Sequence, residues 1–213
     1  LTSAARACGY AVTLTEFDMS HPVRLKDAAR KLAELPVDGM VFNTNRAIED
    51  FEEFEPIAGL PTIIISVRPH AACTTIDSDQ KGCSRLAVDY LMRHGHRAIR
   101  HIAGPHSSIA AAERAAGWRD ALIAAGVDVV EPLVGDWTAD SGYELGAKLA
   151  QDKDMTALYA GNDQMALGAI VALRDHGIRV PEDVSVVGVD DSLQGTVPHN
   201  PVSYTHLTLP TKR

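Results

Sequence analysis

The chain has little cysteine, and what it has is oddly placed: Cys8, Cys73 and Cys83 are the only three, with no CxxC spacing. That argues against a disulfide framework and for free thiols in a reducing compartment. Basic residues are also short. Twenty Lys and Arg against 28 Asp and Glu leave a formal charge of −8, so this segment does not carry the clustered cations that grip phosphates, although a separate DNA-binding module is untouched by that argument. No apolar run approaches the ~18 residues of a membrane span, so no membrane partner is expected. No signal peptide is visible, although the chain opens on Leu1 rather than Met, and a cytoplasmic location is expected. Missing too are a GxGxxG after the first strand, a GxxxxGK[ST] loop and a GxSxG elbow. No enzyme and no cofactor are expected.

What remains is the composition of an ordinary α/β protein: 46% hydrophobic, 5% aromatic, and 213 residues, enough for one large or two small domains. Apolar runs that read as strands alternate with runs at helical spacing. Strands are predicted at Ala11–Phe17, Asp38–Asn43, Pro61–Ser66, Thr74–Ile76, Ala98–Ala103, Val129–Val134, Ala157–Ala160 and Val184–Val189. Helices are predicted at His21–Leu35, Ile48–Phe54 (short and acidic), Gln80–His94, Ile109–Ala125, Ser141–Gln151 and from Met165 to His176, with Leu1–Cys8 closing a first one. This is the βαβ pattern of a parallel sheet covered on both faces. Irregular sequence over Ala71–Asp77 followed by a fresh βα series marks a domain crossing. Opening on a helix is unusual for such a fold and leads to the expectation that a first strand lies upstream.

The most informative stretch is Ala157–Ser192, ALYAGNDQMALGAIVALRDHGIRVPEDVSVVGVDDS. It reads as strand, polar turn, helix, turn, strand, with Asn162 and Asp190 at the carboxyl ends of two buried strands. Ligands of open α/β sheets bind at such ends, which makes both residues pocket candidates; Asn and Asp there also cap helices.

Four blocks carry a resemblance: HGHRAIRHIAGP (His94–Pro105), ERAAGW (Glu113–Trp118), GDWTADSGY (Gly135–Tyr143) and GNDQMALGA…VPEDVSVVGVDDS. In order and spacing they resemble the effector-binding core of the lactose-repressor (LacI/GalR) family of bacterial transcription regulators. The resemblance runs from Leu1 to about Pro201, more loosely before Asp77. It implies an α/β, two-lobed periplasmic-binding-protein-like fold with parallel sheets flanked by helices, sugar held between the lobes, and Asp77 at the first hinge crossing. It implies an N-terminal lobe over 1–76, a C-terminal lobe over 77–195, and a crossover remnant with a tail over 196–213. The tail, VSYTHLTLPTKR, does not resemble the family and reads as non-native, so the fold is expected to be incomplete. The family's helix-turn-helix is absent from this sequence; through it a full-length protein would contact operator DNA, as a homodimer or higher oligomer.

The resemblance matches Arg114, Asn162 and Asp190 to sugar-contacting positions. A guanidinium can serve two adjacent sugar oxygens, an ionised carboxylate accepts from hydroxyls, and an amide does both. Trp137 is the discriminating residue: indole packs on the C–H face of a pyranose, or else plugs a core. Ser108, before Arg114, is a further ligand candidate. Asp163 and Asp191 read as caps and backbone anchors, and Trp118 as core. Ser66 stands where the family commonly has Asp. His94, His96 and His101 lack a carboxylate or Cys at ligand spacing, so no metal site is expected. The reading is the effector-binding and dimerisation core of a sugar-responsive repressor, induced by a galactoside or related glycoside. The alternative is a periplasmic sugar-binding protein of a transport system.

Overall fold

The computed structural model describes residues 2–16, 23–44, 48–66, 68–190 and 192. The chain divides into two compact units, Leu1–Ile76 and Asp77–Arg213. Asp191, the 196–213 segment, Phe17 and the start of the helix predicted from His21 lie outside the described residues.

The first unit holds helices α1 (Thr2–Ala7) and α2 (Leu25–Ala33) and strands β1 (Met40–Asn43), β2 (Thr62–Ile65) and β3 (Thr74–Ile76). The strands pair in parallel in the order β1-β2-β3, with Phe42 opposite Ile64 and Ile65 opposite Ile76. Leu25, Ala28 and Ala29 of α2 pack with Met40, Phe42, Phe51, Phe54 and Ile64.

Two expectations fail in this unit. Ala11–Glu16 forms no strand, and Tyr10, Val12 and Leu14 are 60%, 41% and 80% exposed. Strand-like alternation has no force without a neighbour to complete the ladder. Ile48–Phe54 is a run of turns rather than a helix. Its Asp50 points inward, and its carboxylate accepts from the backbone N–H groups of Leu25 (2.8 Å) and Lys26 (3.0 Å). Arg24, the residue before α2, offers no side-chain cap. A distant carboxylate therefore satisfies two of the orphan donors of the helix start.

The second unit carries α3 (Gln80–Arg93), β4 (Ile99–Ala103), α4 (Ile109–Ala124), β5 (Leu133–Val134), α5 (Ala139–Leu149), β6 (Ala157–Ala160), α6 (Asp163–Asp175) and β7 (Ser185–Val187). All four strands are parallel, in the order β5-β4-β6-β7. The predicted Val129–Val134 strand shrinks to two residues, paired with Ile102 and Ala103. Strand β6 is fully buried, and its side chains part in alternation. Ala157 and Tyr159 join Val88, Leu91, Trp118 and Leu122 of α3 and α4, while Leu158 and Ala160 join Leu145, Leu149, Met165 and Leu173 of α5 and α6. That is the period of a strand sandwiched between two helical layers.

The order of the strands fixes where a ligand can sit. From β4 the chain leaves through α4 to β5 on one side; from β6 it leaves through α6 to β7 on the other. Between the carboxyl ends of β4 and β6 the connections part, which opens the crevice of a doubly wound sheet.

Beneath that crevice lies a polar seam. His101 on β4 is buried, its Nδ1–H donates to the Tyr159 carbonyl at 2.8 Å, and its ring stacks on Tyr159 with centroids 4.8 Å apart. Burial drives the imidazole from 6.5 down to about 4; the Tyr159 bond opposes this and the Arg114 charge adds to it. Between those values the unfolded chain binds the proton and the native state does not, so stability falls as pH falls from 6.5 towards 4. Urea unfolding is expected to show a loss of about 2 kcal/mol between pH 7 and pH 5 from this residue. Asp136 and Asp183 titrate near 2 and stay silent in that window. His101→Gln should flatten the slope; an unchanged slope would show that the burial of His101 is not its source.

Candidate functional site

The crevice is built from the four connections that leave the sheet at its carboxyl end. After β4, Gly104 and Pro105 lead to Ser108, whose hydroxyl accepts the Ala111 N–H (3.3 Å) and caps α4. One turn into α4 stands Arg114, 8% exposed. Its Nε–H donates to Gln80 Oε1 at 2.6 Å, its Nη1 to the Gly161 carbonyl, and its Nη2 to Asp190 Oδ1 at 3.1 Å. A single guanidinium thus joins the start of α3, the end of β6 and the segment after β7. Of the five N–H groups of a guanidinium, two remain for another acceptor.

After β5 the chain turns through Gly135, Asp136 and Trp137. The Asp136 carboxylate accepts from the Thr138 N–H (2.9 Å) and hydroxyl (2.6 Å), and these bonds hold its pKa near 2. Trp137 is half-buried with φ of 76°. The Arg114 guanidinium carbon lies 5.8 Å from its ring centroid, within cation–π range. The benzo end of this indole rests on Gly104: a Cβ there would fall 2.2 Å from its benzo carbons. Gly104 has no left-handed backbone, so space alone calls for glycine at this position.

After β6, Asn162 caps α6. Its Oδ1 accepts the Met165 N–H and its Nδ2 donates to the Trp137 carbonyl, both at 2.9 Å. Both ends of the amide are therefore engaged in holding the site together. After β7, Asp190 has φ of 104° and a side chain 44% exposed, with one carboxylate oxygen on Arg114. Asp163 anchors the same segment: its N–H donates to the Val189 carbonyl at 2.9 Å and its carboxylate accepts the Ser192 N–H at 2.8 Å.

Among the described residues, the non-glycine residues with positive φ are Trp137 and Asp190 at this crevice and Asp79, the residue before Gln80. Such backbone costs of order 1–3 kcal/mol per residue and gathers at functional sites. Arg114 reaches both Trp137 and Asp190, and Asn162 fixes the Trp137 loop. Ser108 is buried at the α4 cap and makes its described contact there. Gln80, Gly104, Gly161 and Asp136 were not singled out in the sequence; for Gly104 the only signal was a glycine directly after a buried strand. Among the described residues no three His, Cys, Asp or Glu side chains gather as a metal site, and no helix is long and apolar enough to cross a membrane.

Comparison with known proteins gives this crevice a context. A family model described as a periplasmic binding protein-like domain matches residues 88–211. The HTH-type transcriptional regulator CelR of Thermobifida fusca is 39% identical over 168 residues, 76% of this chain and 49% of its own. A crystal structure of the lac repressor dimer bound to operator and the anti-inducer ONPF superposes with a TM-score of 0.77. It is 31% identical, with 90% of this chain and 68% of that one covered. A complex of the regulator CelR with cellobiose gives a TM-score of 0.68 at 35% identity, with 84% and 57% covered. The chain spans about half the length of the curated relatives it matches. Those relatives are transcriptional regulators, not enzymes or transport receptors.

The shelf under Trp137 is directly testable. In a Trp118→Phe background, where Trp137 is the remaining indole, Gly104→Ala should shift its emission and near-ultraviolet dichroism. The crowding should cost about 1–3 kcal/mol of stability. Unaltered Trp137 spectra in that variant would mean that the indole does not rest on Gly104.

Proposed function

The chain belongs to the LacI-type regulators of the periplasmic-binding-protein-like family, and we propose that it is the effector-binding core of a sugar-responsive transcriptional repressor. The observation that carries the proposal is the Arg114–Asp190 pair beside Trp137 at the carboxyl ends of β4 and β6. The pair offers N–H donors and a carboxylate acceptor within one hydrogen-bonded unit, which is what neighbouring hydroxyls require. The indole adds a flat apolar surface for the C–H face of a pyranose. The pair is neutral as a whole, which favours an uncharged glycoside over a sugar phosphate. A galactoside or related glycoside is the proposed effector; the cellobiose complex of CelR makes β-glucosides natural probes beside galactosides.

In this reading the core acts by population shift. The effector binds one of two states more tightly, and the difference changes the affinity for operator DNA; equal binding to both would shift nothing. With a charge of −8, DNA contact is assigned to a helix-turn-helix outside these 213 residues. A homodimer or higher oligomer is proposed, because paired half-sites match a two-fold protein. Action on DNA places the protein in the cytoplasm. The site has no catalytic role in this proposal: Arg114 and Asp190 hold each other and the ligand.

Thermal melts with methyl β-galactoside, cellobiose, ribose and hypoxanthine at millimolar concentration test the proposal. Binding raises stability by RT ln(1 + [L]/Kd), about 2.7 kcal/mol at a hundredfold excess over Kd. A glycoside should raise the midpoint, and Trp137→Ala should abolish the rise. A rise with hypoxanthine and none with any sugar would replace the glycoside with a purine.

A further inference from the structure

Arg114 is the one buried cation of the site, and its side chain is long enough to sweep across the crevice unless something stops it. We infer that Gln80 is the positioning residue that stops it, and that through Gln80 the site is tied to the connector between the two units. The inference rests on the effector-site reading above and names a residue that reading does not contain.

Three observations carry it. First, the contact is to Nε, the nitrogen that sets the plane of the guanidinium: the Nε–H donates to Gln80 Oε1 at 2.6 Å. Bonds to Nη1 and Nη2 hold only the far end of the fork; the bond to Nε holds the end that joins the side chain. With Nε held as well, the three bonds come from three separate segments, and the remaining N–H groups have one direction.

Second, the Gln80 amide is itself held. Its Nε2 donates to Ser78 Oγ, which leaves the amide oxygen towards Arg114. The amide has no charge, so Gln80 orients the guanidinium without competing with Asp190 for its pairing.

Third, Gln80 is the first residue of α3, and the connector Asp77–Asp79 is all that separates it from β3 at the end of the first unit. In that connector Asp79 has φ of 33°, and its carboxylate accepts the Gly82 N–H at 2.8 Å to cap α3. The Gln80 side chain therefore leaves a backbone fixed on both sides. A ligand that engages Arg114 pulls on a hydrogen bond one residue from the connector, which is where a change at the site can reach the rest of the chain.

The test has a ligand-free and a ligand-bound arm, both on the full chain. In the ligand-free arm, nitrogen-15 spectra follow the Arg114 Nε–H proton. In the parent it should be protected from exchange with water. It should lose protection at least tenfold in Gln80→Leu and keep it in Gln80→Glu, which retains the accepting oxygen. In the second arm, methyl β-galactoside and cellobiose are titrated. Gln80→Leu should weaken the bound glycoside about tenfold and cause no further loss in an Arg114→Lys background, since both changes undo one interaction. An unchanged Nε–H signal in Gln80→Leu overturns the inference, as do losses that multiply in the double variant. If Gln80→Leu fails to fold, Gln80→Ser, too short to reach Arg114, takes its place with the same expectations. Protection that depends on Gln80 in a chain that binds neither glycoside would sink the effector reading and leave the positioning role standing.

Discussion

The Arg114 guanidinium is the interaction on which the second unit's upper face depends. At 8% exposure it has lost most of its water, and a buried cation is tolerable only if its donors find acceptors. It finds them in Gln80, the Gly161 carbonyl and Asp190. These belong to segments separated by up to 110 positions, one at the start of α3 and two just past the paired strands β6 and β7. Removing the cation would leave a carbonyl and a carboxylate facing each other at the mouth of the crevice. The ion pair is thus as much a fastening of three chain segments as a recognition element, and the two roles share the same atoms.

Glycine and left-handed backbone make room for that fastening. Gly104 and Gly161 directly follow strands β4 and β6, and each lies where a side chain would intrude: on the Trp137 indole in one case, against Ile102 O and the Gly104 nitrogen in the other. Trp137 and Asp190 then adopt positive φ to turn their side chains back over the strand ends. The strain is offset locally. Asn162 holds the Trp137 carbonyl, Asp136 clasps Thr138, and Asp163 grips the backbone on both sides of Asp190. Among the described residues Arg114, Asp136, Asn162, Asp163 and Asp190 each hold another group of the protein, which is how a site on four loops becomes well defined.

The second unit was legible in the sequence because its elements are self-announcing. An all-apolar Ala157–Ala160, a helical period from Met165 and a glycine at Gly177 give a βα unit with little ambiguity. Asn162 and Asp190 followed from the rule that strand ends carry function. The first unit was less legible for physical reasons. Val12 and Leu14 have the alternation of a strand but no pairing partner among the described residues, and Ile48–Phe54 has helical composition but gives its Asp50 to cap another helix. Both outcomes depend on distant segments, which local periodicity does not contain. Gln80 was invisible for a related reason. A glutamine at a helix start is ordinarily a solvated residue, and only its 34-residue reach to Arg114 makes it part of the site.

A site whose polar groups already satisfy one another is suited to regulation rather than to tight capture. In the proposed reading an arriving polyol does not rescue an unpaired charge, because Arg114 and Asp190 are already paired in the structure. It gains only the two unused guanidinium N–H groups, the exposed part of the Asp190 carboxylate and the indole surface. Much of the attraction that a bare cation would offer has therefore been used to order the protein, so the proposed effector is expected to bind a pre-organised site with moderate affinity. Moderate affinity is what a sensor of changing metabolite levels needs, since a saturated sensor reports nothing. The same pairing sets the direction of selectivity. A second anion near Asp190 would meet a carboxylate with no spare cation beside it, and like charges in a half-buried site disfavour each other. Neutral hydroxyls carry no such penalty, and they can both donate to the carboxylate and accept from the guanidinium.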